Sequence, residues 1–541
     1  MRYRFAAVVF AALTACAIPG PAAVPGDLEP LDANALQGTL TELIATHPTA
    51  KRTNVALKVT DLETGEVLFD QNSDKLYTPA SNLKIYTSAA ALDLLGPDYR
   101  WTTRVAIRDT GNQRLDPSIH LIAGGDPMLD TSQLISLATQ LKHELGRQHE
   151  FKSLVMASDH AWSEVPLKGP GWMWDDDPDY YNMSIAQIML NFNVLNITFE
   201  ALAEPDFSSV DLWEQEGYSI RYDPSSTYPP RSIDSLAAMG LPQTAHTDSM
   251  EITRDDFEHE VLFNGRLKPG SDPVNARINV HSPRLFATAA FKRILENTGV
   301  QVGREMPHID GNEALSHSGP ATGHTYTDLA TDYSPDNDKV VLVVVHKGKT
   351  NTEAVKQFLK VSENAVGEML LLTLSEKFGE GEKVSWPSGA KVISDWLVDE
   401  AGLEEGSFRL VDGSGLSRYN LISADSSIRL LSYMKNESEH FEPFFDGLPI
   451  YKVALPKDAG AKWGGVPIAE FDAERVFAKP GGMSGVSTIS GYVHTLDGRW
   501  LAFSLLGNGY IGSSAPVRDL RNQVWAELVR YQAAEAAVPA E

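Results

Sequence analysis

A serine and a lysine stand one helical turn apart, Ser81 and Lys84, at the head of a nearly uncharged run. The run reads Tyr77-Thr78-Pro79-Ala80-Ser81-Asn82-Leu83-Lys84-Ile85-Tyr86-Thr87-Ser88-Ala89-Ala90-Ala91-Leu92. Residues at i and i+3 share a helix face, so the amine reaches the hydroxyl. The small, apolar continuation predicts a buried helix, and burial is one of the two ways a lysine is kept neutral. A neutral amine can take the serine proton and turn a weak nucleophile into a strong one. The same spacing recurs in blander settings. Ser388, before Lys391, follows Pro387 and precedes a helical pattern (Val392, Ile393, Trp396, Leu397), so it reads as an N-cap. Lys435, after Ser432, lies late in an amphipathic stretch (Ile428, Leu430, Leu431, Met434), where a cation suits a helix C-terminus. On the pattern alone, helix capping and catalysis both stay open for Ser81.

With 541 residues, 43% hydrophobic and 22% charged, the chain has room for two or three globular domains. The formal charge of −26 argues against nucleic acid, which needs a basic footprint. The N-terminus carries a basic Met1-Arg2-Tyr3-Arg4, an apolar Phe5 to Leu13, and then Leu13-Thr14-Ala15-Cys16. This reads as a secretory signal over residues 1–15. Cys16, the one cysteine, stands where a lipoprotein signal is cut and its thiol acylated, with plain secretion as the alternative. Ala17 rather than aspartate after it points to the outer membrane. The expected location is therefore periplasmic, with membrane attachment through Cys16. A single cysteine allows no disulfide within the chain, so stability rests on burial.

Residues 16–30 read as a flexible tether. Leu36 to Ala45 shows helical spacing. Val55 to Val59 and Val67 to Phe69 read as a hairpin around Glu63-Thr64-Gly65-Glu66. Residues 100–310 read as an inserted, mainly β accessory region that divides one catalytic domain into 31–99 and 311–541. Within the insertion the pattern predicts strands at Trp101–Ile107, Ile119–Ile122, Leu154–Met156, Val194–Phe199 and Arg277–Val280. It predicts helices at Thr131–Leu145 and Leu285–Thr298, and irregular chain at Pro224–Gly240. Beyond it, Val340–Val345 reads as a buried strand and Thr352–Phe378 as helical. Val476–Ala478, Val486–His494 and Trp500–Leu506 read as strands, and Val517–Tyr531 as a terminal helix.

Two further segments join the first. Ser362-Glu363-Asn364 lies in Phe358 to Leu371, and Lys479-Pro480-Gly481-Gly482 opens Lys479 to Tyr492. Taken singly, Ser362 would be a mid-helix polar residue and Lys479 a solvated strand end. Together, in the order Ser-x-x-Lys, Ser-x-Asn, Lys-x-Gly, they match the penicillin-recognising enzymes. The long gap between Ser81 and Ser362 resembles the class C low-molecular-mass penicillin-binding proteins, the D-Ala-D-Ala carboxypeptidase/endopeptidase family. Gly124-Gly125-Asp126-Pro127-Met128-Leu129, Gly171-Trp172-Met173-Trp174-Asp175-Asp176, His281-Ser282-Pro283 and Leu410 to Arg418 fit the family as well. The likeness spans roughly residues 35–533.

The resemblance implies an α/β (α+β) transpeptidase-like domain, an antiparallel sheet packed by helices. It also implies a serine peptidase acting on peptidoglycan stem peptides, inhibited by β-lactams and calling for no metal or cofactor. Ser81 would attack the carbonyl between two D-alanines, and Lys84 would accept its proton. Ser362 would relay a proton to the leaving amine, and Asn364 would hold the substrate amide and the lysine. Lys479 would add positive potential that keeps Lys84 neutral and attracts the terminal carboxylate. The backbone N–H groups of Ser81 and Gly482 would form the oxyanion hole.

One position departs from the family: Lys-Thr-Gly reads Lys479-Pro480-Gly481, which removes the hydroxyl that helps bind the substrate carboxylate. Proline is tolerated where its nitrogen faces an open strand edge, and 480 and 482 should face that edge together. Weaker carboxypeptidase than endopeptidase action is expected. A silenced, wall-binding lipoprotein and a β-lactamase or esterase on the same domain are the alternatives. The run Asp175-Asp176-Asp177-Pro178-Asp179 lacks the spacing of a calcium loop and reads as solvated. Trp172 and Trp174 offer either glycan binding or packing. Gly413-Ser414-Gly415 reads as a turn near the cleft.

Overall fold

The protein is described by a computed structural model at residues 28–108, 117–147, 150–157, 160–199, 214–215, 218–222, 249–255, 260–266, 274–303, 308–309, 340–381, 383–455, 462–463, 466–467 and 473–533. The signal, residues 16–27 of the tether with Cys16, and the stretch 224–240 lie outside these residues; the end of the tether is held rather than free, since Leu28 is buried and its amide donates to the Lys462 carbonyl at 2.8 Å. The chain divides into two compact units: residues 15–99, 169–171 and 350–541 form one, and residues 100–168 and 172–349 belong to the other.

Elements of the first unit are labelled in chain order: α1 Ala33–Thr46, β1 Asn54–Asp61, β2 Val67–Gln71, α2 Lys84–Leu95, α3 Asn351–Lys360, α4 Asn364–Phe378, α5 Trp386–Asp399, α6 Ala424–Asn436, β3 Ile450–Lys452, β4 Glu474–Met483, β5 Val486–His494, β6 Trp500–Asn508 and α7 Ala515–Leu528. The six strands form one antiparallel sheet in the order β3-β4-β5-β6-β1-β2. The side-chain period of two splits each strand between faces. Val55, Leu57 and Val59 of β1, Val476 and Ala478 of β4, and Ile489 and Val493 of β5 pack on Leu36 and Leu40 of α1 and Val524 and Trp525 of α7. The alternate residues face the other helices: Lys58 pairs with Asp425 of α6 at 2.5 Å, and the Tyr492 hydroxyl donates to the Leu431 carbonyl at 2.9 Å. Lys479 and Gly481 of β4 share this second face.

The α2 run is buried from Lys84 to Leu92, as its composition predicts. Two expectations change. The helical stretch after residue 350 is two helices, broken at Val361–Glu363. The cap of α5 is Ser385, whose hydroxyl accepts from the Ser388 amide at 3.3 Å, while Ser388 lies inside the helix. Proline prefers the first helical turn, so the cap lies ahead of Pro387 rather than after it.

In the second unit a five-stranded sheet runs His308–Ile309, Ser153–Ala157, Ser118–Ile122, Arg100–Arg108, Val340–Thr350. Helices Thr131–Leu145 and Pro283–Asn297 cover it with Leu134, Leu137, Phe286 and Phe291. A four-stranded sheet joins Ser249–Asp255, Glu260–Arg266, Tyr218–Tyr222 and Glu214–Gln215, and Val194–Phe199 pairs with Val274–Asn279. The strand from Val340 is an edge strand of this unit, so the chain re-enters the first unit at Thr350 rather than at 311. It is buried on one face alone: Val344 sits in the core, while Val343 and Val345 are exposed. The acidic loop is less solvated than expected, because Tyr181 donates to Asp176 and Asp179 and Asn279 donates to Asp177. Trp174 does not pack inward; it is 89% exposed.

Candidate active site

Ser81 sits on a single 3-10 turn, Ala80–Leu83, from which α2 continues. Side chains at i and i+3 eclipse in a 3-10 turn, which aligns Lys84 with Ser81 more closely than an α-helix would. The turn is fastened to the sheet. The Thr488 hydroxyl donates to the Pro79 carbonyl at 2.5 Å, and the Asn82 amide donates to the Lys479 carbonyl at 2.7 Å. The Ser490 hydroxyl in turn donates to Asn82 Oδ1 at 3.1 Å. A Cβ at 481 would lie 2.3 Å from the Pro79 carbonyl oxygen, so only glycine permits this approach of β4.

Lys84 Nζ lies 3.1 Å from Ser81 Oγ, 2.7 Å from Asn364 Oδ1 and 2.6 Å from the Ser414 carbonyl oxygen. The last two can only accept. A neutral amine has two N–H bonds for them and one lone pair left for the serine proton. Burial brings the amine down to about 7, against the opposing pull of Asp412, Glu368 and Glu363. Burial therefore replaces the charge of Lys479 as the first cause of a neutral Lys84.

Ser362 occupies the break between α3 and α4 with φ +67, a left-handed backbone that serine rarely adopts. That break aims its hydroxyl at Lys479, whose Nζ donates to Ser362 Oγ at 3.0 Å and to the Pro480 carbonyl at 3.1 Å. Burial pushes the Lys479 amine well below its usual value, with repulsion from Lys84 second. Asn364 opens α4, one position past the break, and so reaches Lys84. On β4, the Ala478 amide donates to the Pro449 carbonyl at 3.0 Å, and the pairing with β3 ends at Phe477. By alternation, positions 480 and 482 face the edge that β3 leaves open. Gly482 is exposed there, and a Cβ on it would meet nothing within 4 Å.

Three participants are not among the site residues named from the sequence, although Leu410 to Arg418 reads as a family segment with a turn near the cleft. The Ser414 carbonyl is a backbone group and carries no residue signature. Glu368, buried in α4, accepts from Trp386 Nε1 at 2.8 Å, the Gly413 amide at 3.1 Å and the Ser414 amide at 2.9 Å. Asp412 accepts from the Gly415 amide at 2.8 Å, the Ser417 amide at 2.6 Å and Asn420 Nδ2 at 2.7 Å. A glutamate one turn after Asn364 on an otherwise apolar helix was the available hint. The arrangement can generate a serine alkoxide beside two amines and an exposed strand edge, which is the equipment of acyl transfer.

Comparison with known proteins agrees with this geometry. The chain is 28% identical over 492 residues to a D-alanyl-D-alanine carboxypeptidase of Actinomadura sp., covering 88% of this chain and 82% of that one. It is 22% identical over 490 residues to the D-alanyl-D-alanine carboxypeptidase DacB of Haemophilus influenzae, covering 88% and 91%. The crystal structure of penicillin binding protein 4 from Haemophilus influenzae superposes with a TM-score of 0.66 at 19% identity, over 91% of this chain and 99% of that one, and so shares the fold. Residues 36–529 match the D-Ala-D-Ala carboxypeptidase 3 (S13) family, and the chain is a member of it.

Proposed function

We propose that this family member is a serine-type D-Ala-D-Ala carboxypeptidase and DD-endopeptidase that cleaves peptidoglycan stem peptides through an acyl-enzyme on Ser81. The observation that carries this reading is the coordination of Lys84, with two acceptor-only oxygens on its N–H bonds and the Ser81 hydroxyl on its remaining position. Ser81 Oγ bonds to the carbonyl carbon and its proton passes to Lys84 Nζ. The Ser81 and Gly482 amides take the charge that develops on the carbonyl oxygen. The C–N bond then breaks, and the leaving amine takes the proton that Ser81 gave up, passed on from Lys84 by way of the Ser362 hydroxyl, so that Lys84 is neutral again for the next step. Water, or the amine of another peptide, resolves the acyl-enzyme. A β-lactam presents the same amide in a strained ring and acylates the same oxygen.

Such a substrate lies outside the cytoplasm, which fits export by residues 1–15 and lipid attachment at Cys16, with the outer membrane as destination. Fluorescent penicillin tests both parts. Wild type should be labelled, Ser81→Ala should not, and Ser81→Ala should also stop release of D-alanine from isolated muropeptides. Labelling that survives Ser81→Ala would sink the assignment. Cys16→Ser should move the labelled band from membrane to soluble fraction, and a band that stays with the membrane removes the lipid anchor.

A further inference from the structure

Glu368 is a buried carboxylate that the reaction scheme leaves unused. Its two oxygens receive three N–H donors: Trp386 Nε1 and the Gly413 amide on one, the Ser414 amide on the other. An ionised carboxylate accepts all three, whereas a protonated one must turn its O–H toward a donor. The loop it grips, Asp412 to Gly415, delivers the Ser414 carbonyl to Lys84 at 2.6 Å. The far side of the same peptide unit is held as well, since the Gly415 amide donates to Asp412 at 2.8 Å. Gly415 has φ +85, and a Cβ there would lie 2.0 Å from the Ala80 carbonyl oxygen, so the loop abuts the turn of the nucleophile. The hydrogen bond from Lys84 to this loop ends on a backbone oxygen, so its direction depends on what grips the amides.

We propose that Glu368 is a positioning residue for the proton transfer: by clamping the Gly413 and Ser414 amides it fixes the Ser414 carbonyl as an acceptor for Lys84, and thereby fixes where the lone pair of Lys84 points. The inference rests on Lys84 as the base for Ser81. The charged groups around the pair are Asp412, Glu368 and Glu363, which favour the protonated amine, and Lys479, whose amine and that of Lys84 repel each other. Burial, then Asp412, raises Glu368 to about 7, and hydrogen bonds from the Ser414 side chain, the Gly413 amide and Trp386 oppose the rise. The clamp and the base are thus lost together as the pH falls, and both contribute to the acid limb of acylation.

The test is the rate of acylation of the full chain by fluorescent penicillin over a pH series, with melting temperatures alongside. Glu368→Gln keeps the shape but places an NH2 group against one of the amide donors and removes a charge that favours protonated Lys84. Its plateau rate should fall about tenfold or more, and its acid limb should move to lower pH. Trp386→Phe keeps the carboxylate and removes one donor, so Glu368 takes its proton earlier and the acid limb should move to higher pH. Opposite movements support the inference, and either variant alone still reads it should the other fail to fold. An unmoved limb in Glu368→Gln, or movement of both in one direction, overturns it. The underlying reading fails separately: Lys84→Ala acylating at the wild-type rate would remove the base itself.

Discussion

Two residues beside the nucleophile hold left-handed backbone without being glycine, Ala80 at φ +49 and Ser362 at φ +67. Strain of this kind persists only where the surroundings over-determine it. At Ser362 it coincides with the hydroxyl that receives Lys479, so the local cost falls on a group of the candidate site. The pair Ser362→Gly and Ser362→Ala separates conformation from chemistry. Both lose the hydroxyl, and both should acylate about 10²-fold more slowly. Glycine adopts the left-handed region freely, so Ser362→Gly should be the more stable of the two by about 1 kcal/mol in denaturant titration. Equal stabilities would show that the turn carries no strain.

The elements were legible where a local device announces them. Thr131–Leu145 is bounded as read, because Asp130 and Gln133 form a reciprocal capping box at its start. Proline obscures which hydroxyl precedes the first turn, so the pattern points to Ser388 where Ser385 is the cap. The apolar run from Val340 reads as a fully buried strand yet is covered on one face, because such a run does not reveal whether one face or two will be covered. Of the site, Ser81, Lys84, Ser362, Asn364 and Lys479 could be named from order and spacing. The Ser414 carbonyl could not, since a backbone acceptor leaves no trace in residue identity. Strand β4 carries the test at this scale. Its proline sits where the family resemblance leads one to expect threonine, on the open edge, so Pro480→Thr adds a hydroxyl and an amide donor for a substrate carboxylate. One charge-assisted hydrogen bond implies about a tenfold or larger gain in carboxypeptidase rate, with endopeptidase rate changed less. An unchanged rate on a free C-terminus would mean that the edge at 480 does not meet the carboxylate.

Across the whole molecule, the two units own separate cores. One gathers Leu121, Leu134, Phe286 and Phe291, and the other Leu36, Val59, Phe503 and Trp525. All the groups of the candidate site come from the first unit, whose core holds Leu36 and Trp525. Calorimetry should therefore resolve two transitions, and acylation by penicillin should raise the temperature of one. A single transition that shifts as a whole would contradict independent cores. The contact of Gly481 with the Pro79 carbonyl has a consequence for how such sequences diverge. Strand β4 alternates between positions that touch the turn of the nucleophile and positions that do not. Site 480 could drift from threonine to proline over evolutionary time without moving the serine. Site 481, one residue along, has no room to accept even a methyl group.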